Sequence, residues 1–434
     1  MNALVLLTFA VVMLVEFLAT IGVLPRLAKF TPELCSMLVA VYVVTAGARR
    51  RFRDVRPVYW IVFAAVCVTM VCGAVANLLA PGPMISGLRY YLRAIPFFFL
   101  PAVFIFSEQD IRGQLRLLLL LAFVQVPLAV YQRMVIISER RFSGDDVFGT
   151  LMTSSILSIY LIGVVCVLTG LYLRGRLKTL WFGLAFLILL VPTMINETKG
   201  TLLLLPIGLM TVLLVGSPPG RRLRIIVGTT TLLTVFTAIY VPVFDYLRKD
   251  RPYSVGIIEF MQDPDRLERY LSKSEGLGAQ APAGRIDAIV EPLPLLARDP
   301  ARLVFGLGIG NASPSSLGDQ FVGAYNRLLG RYLVSSGSTF IMEIGFLGTA
   351  LVFLLLWHIF RDSLVVAGRD PGLHGAIAIG WTGCTVIIAA SVFYKELHLA
   401  ESLSYLFWYW SGLVAAQRMR LAAGAPAIAT PDRN

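Results

Sequence analysis

Apolar runs long enough to cross a bilayer recur from one end of this 434-residue chain to the other, and no other feature restricts its fold as severely. A hydrocarbon core about 30 Å thick is crossed by roughly 20 helical residues, and a helix satisfies its own backbone there. Composition agrees: 57% of residues are hydrophobic, 15% are charged and the mean hydropathy is +0.76, whereas soluble chains carry roughly 25% charged residues. The pattern predicts an all-α polytopic membrane protein with about twelve transmembrane helices. They fall at approximately 3–24, 31–47, 58–79, 90–107, 117–137, 150–173, 179–197, 201–217, 225–246, 337–358, 373–394 and 397–418. The chain then divides into helices one to nine within 1–246, one large hydrophilic loop over 247–336, helices ten to twelve within 337–420, and a disordered tail at 421–434.

Basic residues set the expected orientation. Arg49, Arg50, Arg51, Arg53 and Arg56 follow the second span, Arg174, Arg176 and Lys178 the sixth, Arg221, Arg222 and Arg224 the eighth, and Arg418 and Arg420 the last. With twelve spans these groups share one side, which the positive-inside preference makes cytoplasmic. Both termini are then inside and the large loop outside. The net charge of +12 thereby has a topological cause, and because the basic residues form no single face, nucleic acid is not expected as a partner. Cys35, Cys67, Cys72, Cys166 and Cys384 lie in apolar stretches with no CxxC pair, and His358, His374 and His398 are scattered, so neither a disulfide nor a metal site is expected. The first span lacks a charged leader and a clear cleavage site, and is expected to be retained.

Some cations fall on the outer side, against the topological preference: Arg89, Arg93, Arg140, Arg141, Lys199 and Lys395. Either they meet an anion there, or they snorkel to lipid phosphates and pair with Glu139, Asp145, Asp146 and Glu197. Lys199 stands apart because it occupies a short break between two apolar runs, where a charge is costly unless used.

Three stretches go further. Thr198-Lys199-Gly200-Thr201-Leu202-Leu203 opens a span. Gly284-Arg285 is followed by a run from Pro300 to Gly306-Leu307-Gly308-Ile309-Gly310. Glu343-Ile344-Gly345-Phe346-Leu347-Gly348 lies in the span after the large loop. Leu88-Arg89-Tyr90-Tyr91-Leu92-Arg93 and Val147-Phe148-Gly149-Thr150 are weaker echoes. In order and setting, over most of the chain, these stretches resemble the Ser-Arg-Gly, Gly-Arg with Gly-x-Gly, and Glu-x-Gly-x-x-Gly elements of the O-antigen ligase and Wzy-type O-antigen and exopolysaccharide polymerase superfamily. The glycine cluster follows no strand pattern, so a nucleotide-loop reading fails its context test and a tight turn is expected there.

The resemblance implies a GT-C-like membrane glycosyltransferase of the bacterial inner membrane, working at the periplasmic face without metal or cofactor. Its donor would be a glycan on undecaprenyl diphosphate. A hydroxyl of a glycan or lipid-linked acceptor would attack the anomeric carbon with inversion, within the lipid bilayer and alongside a chain-length regulator. Position by position, Lys199 and Arg285 match the diphosphate-binding cations. Lysine in place of the usual arginine keeps the charge and loses the bidentate fork. Arg285 could instead pair with Asp287 or Glu291 as a helix-start residue. Arg93, Arg327 and Arg331 are further diphosphate candidates from their outer-side positions.

The general base is expected to be Glu343, a carboxylate in an apolar span, which could equally be a structural group bonded to a neighbouring helix. Glu396 and His398 lie in the last outer turn, and Glu401 is a carboxylate inside the final span. In the ligases a His-Asn pair precedes the Glu-x-Gly-x-x-Gly helix. Here that slot falls near Val334-Ser335, and no histidine occurs between residues 302 and 357. The departure favours a polymerase over a ligase that transfers to lipid A core. A transporter or flippase for the same lipid-linked sugar is the rival from another class, and it would be expected to carry internal repeats that this sequence lacks.

Overall fold

The computed structural model describes residues 1–50, 52, 54–136, 146–196, 198–218, 220, 222–246, 257–265, 268, 272 and 282–424. Glu139, Arg140, Arg141, Asp145, Glu197, Arg51, Arg53, Arg221 and the expected tail from residue 425 onward lie outside these. The described residues are helical and contain no strand. The helices are α1 (Asn2–Thr20), α2 (Thr31–Arg50), α3 (Pro57–Ala76), α4 (Pro81–Leu92), α5 (Ile95–Val103), α6 (Glu108–Tyr131), α7 (Ser154–Leu173), α8 (Thr179–Ile195), α9 (Thr201–Gly216) and α10 (Arg222–Tyr246). After the large loop come α11 (Ser336–Arg369), α12 (Leu373–Ser391) and α13 (Glu401–Ala422).

Eight of these elements are long and apolar enough to cross a membrane: α1, the stretches containing α2 and α6, α3, α7, α10, α11 and α12. The chain is therefore built as a multi-pass membrane protein. Helices α8 and α9 are apolar but shorter, at 17 and 16 residues. The stretch expected as the fourth span is two helices of 12 and 9 residues. Pro96 sits in the first turn of α5, where its missing N–H cannot continue the ladder of α4, and the Arg93 carbonyl left at the break accepts from Ser36 Oγ of α2.

Helix α12 lies at the centre, packed against α7, α9 and α11, while α5 packs on α13 and α2, and α3 on α11. Small residues let these backbones approach, as in membrane bundles generally. A Cβ on Gly170 of α7 would fall 2.3 Å from the Ala376 carbonyl of α12, and one on Gly380 of α12 would fall 2.5 Å from Val167 Cα of α7.

The two ends of the bundle differ. At one end Asp362 of α11 holds Arg56, Tyr59 and Arg418, Asp54 holds Arg420, and Arg174 donates to the Ala367 carbonyl. Arg56, Arg174, Arg418 and Arg420, four of the basic groups expected to share a side, are thus gathered there. The other end carries the large loop. Its part from residue 282 onward forms a small core of Leu296, Leu307, Ala312, Leu329 and Leu333 against Ile341 and Met342 of α11.

Two devices anchor that loop to α11. The first is a helix start: Ser335 and Ser338 form a reciprocal cap, while the N–H groups of Ser336 and Gly337 reach the Lys395 and Val392 carbonyls at 3.1 and 2.7 Å. These N–H groups would otherwise be orphans of the first helical turn. The second is a break at Gly345, where φ is 68° and ψ −174°. The Leu307 and Gly308 N–H groups take the Met342 and Glu343 carbonyls at 2.8 and 3.1 Å. Gly306, Gly308 and Gly310 all have positive φ, so the glycine cluster is a backbone turn that only glycine adopts without strain. It lies close against α11, since a Cβ on Gly306 would meet the Glu343 carbonyl carbon at 2.4 Å.

Candidate active site

The short connection from Tyr394 to Ala400, between α12 and α13, joins two polar clusters at the loop end. One gathers around Tyr394. Arg285 Nη1 donates to the Val334 carbonyl at 2.5 Å, and its guanidinium lies 5.7 Å from the Tyr394 ring centroid. Against the same ring lies the Lys199-Gly200 turn between α8 and α9. A Cβ on Gly200 would fall 2.7 Å from Tyr394 Cζ, so glycine beside the lysine leaves the ring its place. Arg285 and the turn that carries Lys199, 86 positions apart in sequence (285 − 199), therefore both pack against one tyrosine. Val334 contributes its carbonyl to Arg285 and no side-chain chemistry.

Lys395 and Glu396 follow immediately, with Nζ and Oε2 3.9 Å apart. Burial pushes the Glu396 carboxyl above the usual range, opposed by the charges of Lys395 and Arg285. Arg331 adjoins through its backbone, its carbonyl accepting from Ala283 N at 2.9 Å, while its guanidinium lies 5.1 Å from the Tyr332 ring. Arg327 is on the exposed face of the short helix Asn326–Leu329.

Arg93 and Glu343 belong to the second cluster. Arg93 is buried, paired with Glu401 and donating from Nη2 to the Leu399 carbonyl at 2.9 Å. Arg89 binds Glu33 through Nη2 at 2.6 Å and through Nε at 2.9 Å, and reaches Ser316 Oγ at 2.8 Å. Glu343 is fully buried, and both of its oxygens are engaged. Oε1 accepts from the Ala312 and Ser313 N–H groups at 3.2 and 2.9 Å, and Oε2 from Tyr91 OH at 3.1 Å. This carboxylate ties the end of the glycine turn to α4.

The Tyr91 ring in turn stacks on His398 at a centroid distance of 5.7 Å. Ser336 Oγ accepts from the Leu397 and His398 N–H groups at 2.7 and 3.3 Å and lies 3.0 Å from His398 Nδ1. With its lone pairs so occupied, the hydroxyl hydrogen turns to Nδ1, and the network assigns the ring proton to Nε2. Burial, aided by the Arg93 charge, pushes His398 down to about 3, so the ring is neutral at physiological pH and offers no free basic nitrogen.

Comparison with known proteins returned no matching family model and no matching curated protein. What the site can do therefore follows from its groups. Cations and a raised carboxylate meet at the end of a membrane bundle, beside an aromatic ring, and among the described residues no cluster of His, Cys, Asp or Glu could hold a metal ion.

Proposed function

We propose that the protein is a glycan polymerase that transfers an oligosaccharide from undecaprenyl diphosphate to a hydroxyl of an acceptor glycan. In this reading α8, α9, the α4–α5 pair and α13 complete the crossings to twelve. The arginine-rich end is cytoplasmic, and the loop end faces the periplasm of a bacterial inner membrane. The observation that carries the reading is the meeting of Arg285 and the Lys199-Gly200 turn on Tyr394. It supports the two cations acting on one ligand, in the order of motifs that resembles the polymerase superfamily.

The acceptor oxygen forms a bond to the anomeric carbon as the bond from that carbon to the phosphate oxygen breaks, and the electron pair leaves on the diphosphate. Lys199 and Arg285 stabilise that developing charge, a kind of contribution that is often the largest single one in catalysis. The acceptor proton passes to a carboxylate. Glu396 suits this better than Glu343, because it lies within the electrostatic reach of Arg285, whereas the oxygens of Glu343 already hold three donors. Arg93 is committed to Glu401 and serves the architecture.

Purified protein in liposomes, given a lipid-linked repeat unit, should yield a ladder of products on a gel. Transfer to an added acceptor in a single step would instead mark a ligase, and movement across the bilayer without a new bond would mark a transporter.

A further inference from the structure

Buried threonines in this bundle generally return their hydroxyl to the backbone one turn earlier. Thr169 reaches the Val165 carbonyl at 2.8 Å, Thr193 the Leu190 carbonyl at 2.7 Å and Thr385 the Trp381 carbonyl at 2.8 Å. Around the Lys199 turn the pattern fails. Thr198, Thr201 and Ser391 are 3%, 0% and 0% exposed, and among the described residues none of their hydroxyl oxygens has a hydrogen-bond partner. An unsatisfied buried hydroxyl is costly, so three of them near one turn of a membrane protein call for a physical reason.

Their placement supplies one. Thr201 N–H closes on the Thr198 carbonyl at 3.1 Å, which winds the two threonines onto one side of a tight turn with Lys199 between them. Helix α9 runs antiparallel to α12: Gly208 faces Ile387, and Gly200 faces Tyr394. Ser391, at the outer end of α12, therefore lies within about one helical turn of the level of Thr201. The N–H groups of Thr201, Leu202 and Leu203 are already taken by the Thr198, Lys199 and Gly200 carbonyls, at 3.1 Å each. The hydroxyls are side-chain donors at the start of α9, where the helix dipole and Lys199 both favour negative charge.

We infer that Thr198 and Thr201, backed by Ser391, donate to phosphoryl oxygens of a diphosphate bound at the Lys199 turn. The inference rests on the reading of that turn as the donor's diphosphate site, and it adds the groups that recognise the phosphoryl oxygens themselves. A lipid-linked diphosphate and free inorganic diphosphate share this chemistry.

The test uses the full chain in nanodiscs with Thr198→Val, Thr201→Val, Thr198→Ser and Lys199→Ala. Binding of inorganic diphosphate is followed by calorimetry, and binding of undecaprenyl diphosphate by including it in the nanodisc lipid. Each valine variant should bind about 10-fold more weakly, as expected for loss of a hydrogen bond to a charged group, and Thr198→Ser should bind as the parent does. Without ligand, the valine variants should melt at the same or a higher temperature, because an unsatisfied hydroxyl has been removed. Weakening with the lipid-linked probe alone identifies the lipid as the source, and weakening with both identifies a site for the diphosphate itself. Valine variants that bind like the parent, or that melt lower without ligand, overturn the inference. If Lys199→Ala loses binding while they do not, the site stands and the hydroxyl donors fall. Failure of the parent to bind either probe removes both.

Discussion

The Asp362 cluster and the Lys199 turn, at opposite ends of this bundle, handle buried polarity in opposite ways. At the arginine-rich end a buried acceptor is oversupplied with donors: Asp362 takes Arg56 Nη1 at 2.7 Å, Tyr59 OH at 2.9 Å and Arg418 as well. Asp370 likewise holds the Gln417 amide at 2.8 Å and the Gly372 N–H at 2.6 Å. These contacts link α3, α11 and α13 through groups that satisfy one another. At the loop end the Lys199 turn has buried hydroxyls with no partner among the described residues, set beside cations from two distant parts of the chain. Polarity that satisfies itself joins helices together, and polarity left open beside a cation is suited to a ligand.

The contrast can be broken, beginning with the largest effect. Asp362→Ala strands two guanidinium groups on each other, and removing one member of a buried pair costs several kcal/mol. Because Arg56 and Arg418 keep 21% and 20% of their side-chain surface exposed, the expected loss is at the lower end, about 3 kcal/mol. It should be read as a lower melting temperature in detergent, with turnover per folded molecule unchanged. Arg285→Ala and Lys199→Ala should do the reverse, each lowering turnover about 10²–10³-fold, as loss of a charge-stabilising donor does, with melting barely altered. A stability loss in these two matching that of Asp362→Ala would abolish the distinction between the ends.

Two smaller effects sharpen it. Gly200→Ala places a methyl 2.7 Å from Tyr394 Cζ, and overpacking of this kind costs about 1–3 kcal/mol. Displacement of the ring should lower turnover, and Tyr394→Leu in the same chain should restore stability but not activity. The last concerns His398. Its folded value near 3 lies below the unfolded value of about 6.5, so between these the unfolded chain binds the extra proton. Stability contributed by this histidine is present above pH 6.5 and is lost as pH falls toward 3. His398→Gln should flatten that decline by about 1 kcal/mol between pH 6.5 and 5.5, measured by denaturation at the two values. An unchanged slope would mean that His398 titrates alike in the folded and unfolded chain, and a steeper decline that it is protonated in the folded protein.

Much of the architecture is legible from residue order because a hydrocarbon slab imposes a length and an apolar composition on anything that crosses it. Eight elements meet that requirement without reference to their neighbours. The interruption at Ile95-Pro96 and the turn at Gly306–Gly310 follow equally from local chemistry: a missing N–H in one case, a missing Cβ in the other. Partner choice is different. Helices that are apolar on nearly every face carry little periodic signal to say which side meets which helix, so residue order does not tell that α12 lies against α7, α9 and α11. The sequence leaves Glu343 equally a base or a structural carboxylate, and only the fold places the Ala312 and Ser313 N–H groups and Tyr91 OH on its oxygens. Tyr394 looks like one more residue of a short turn until Gly200 and Arg285 are found on its ring. Those contacts depend on distances between segments far apart in the chain, which packing alone decides.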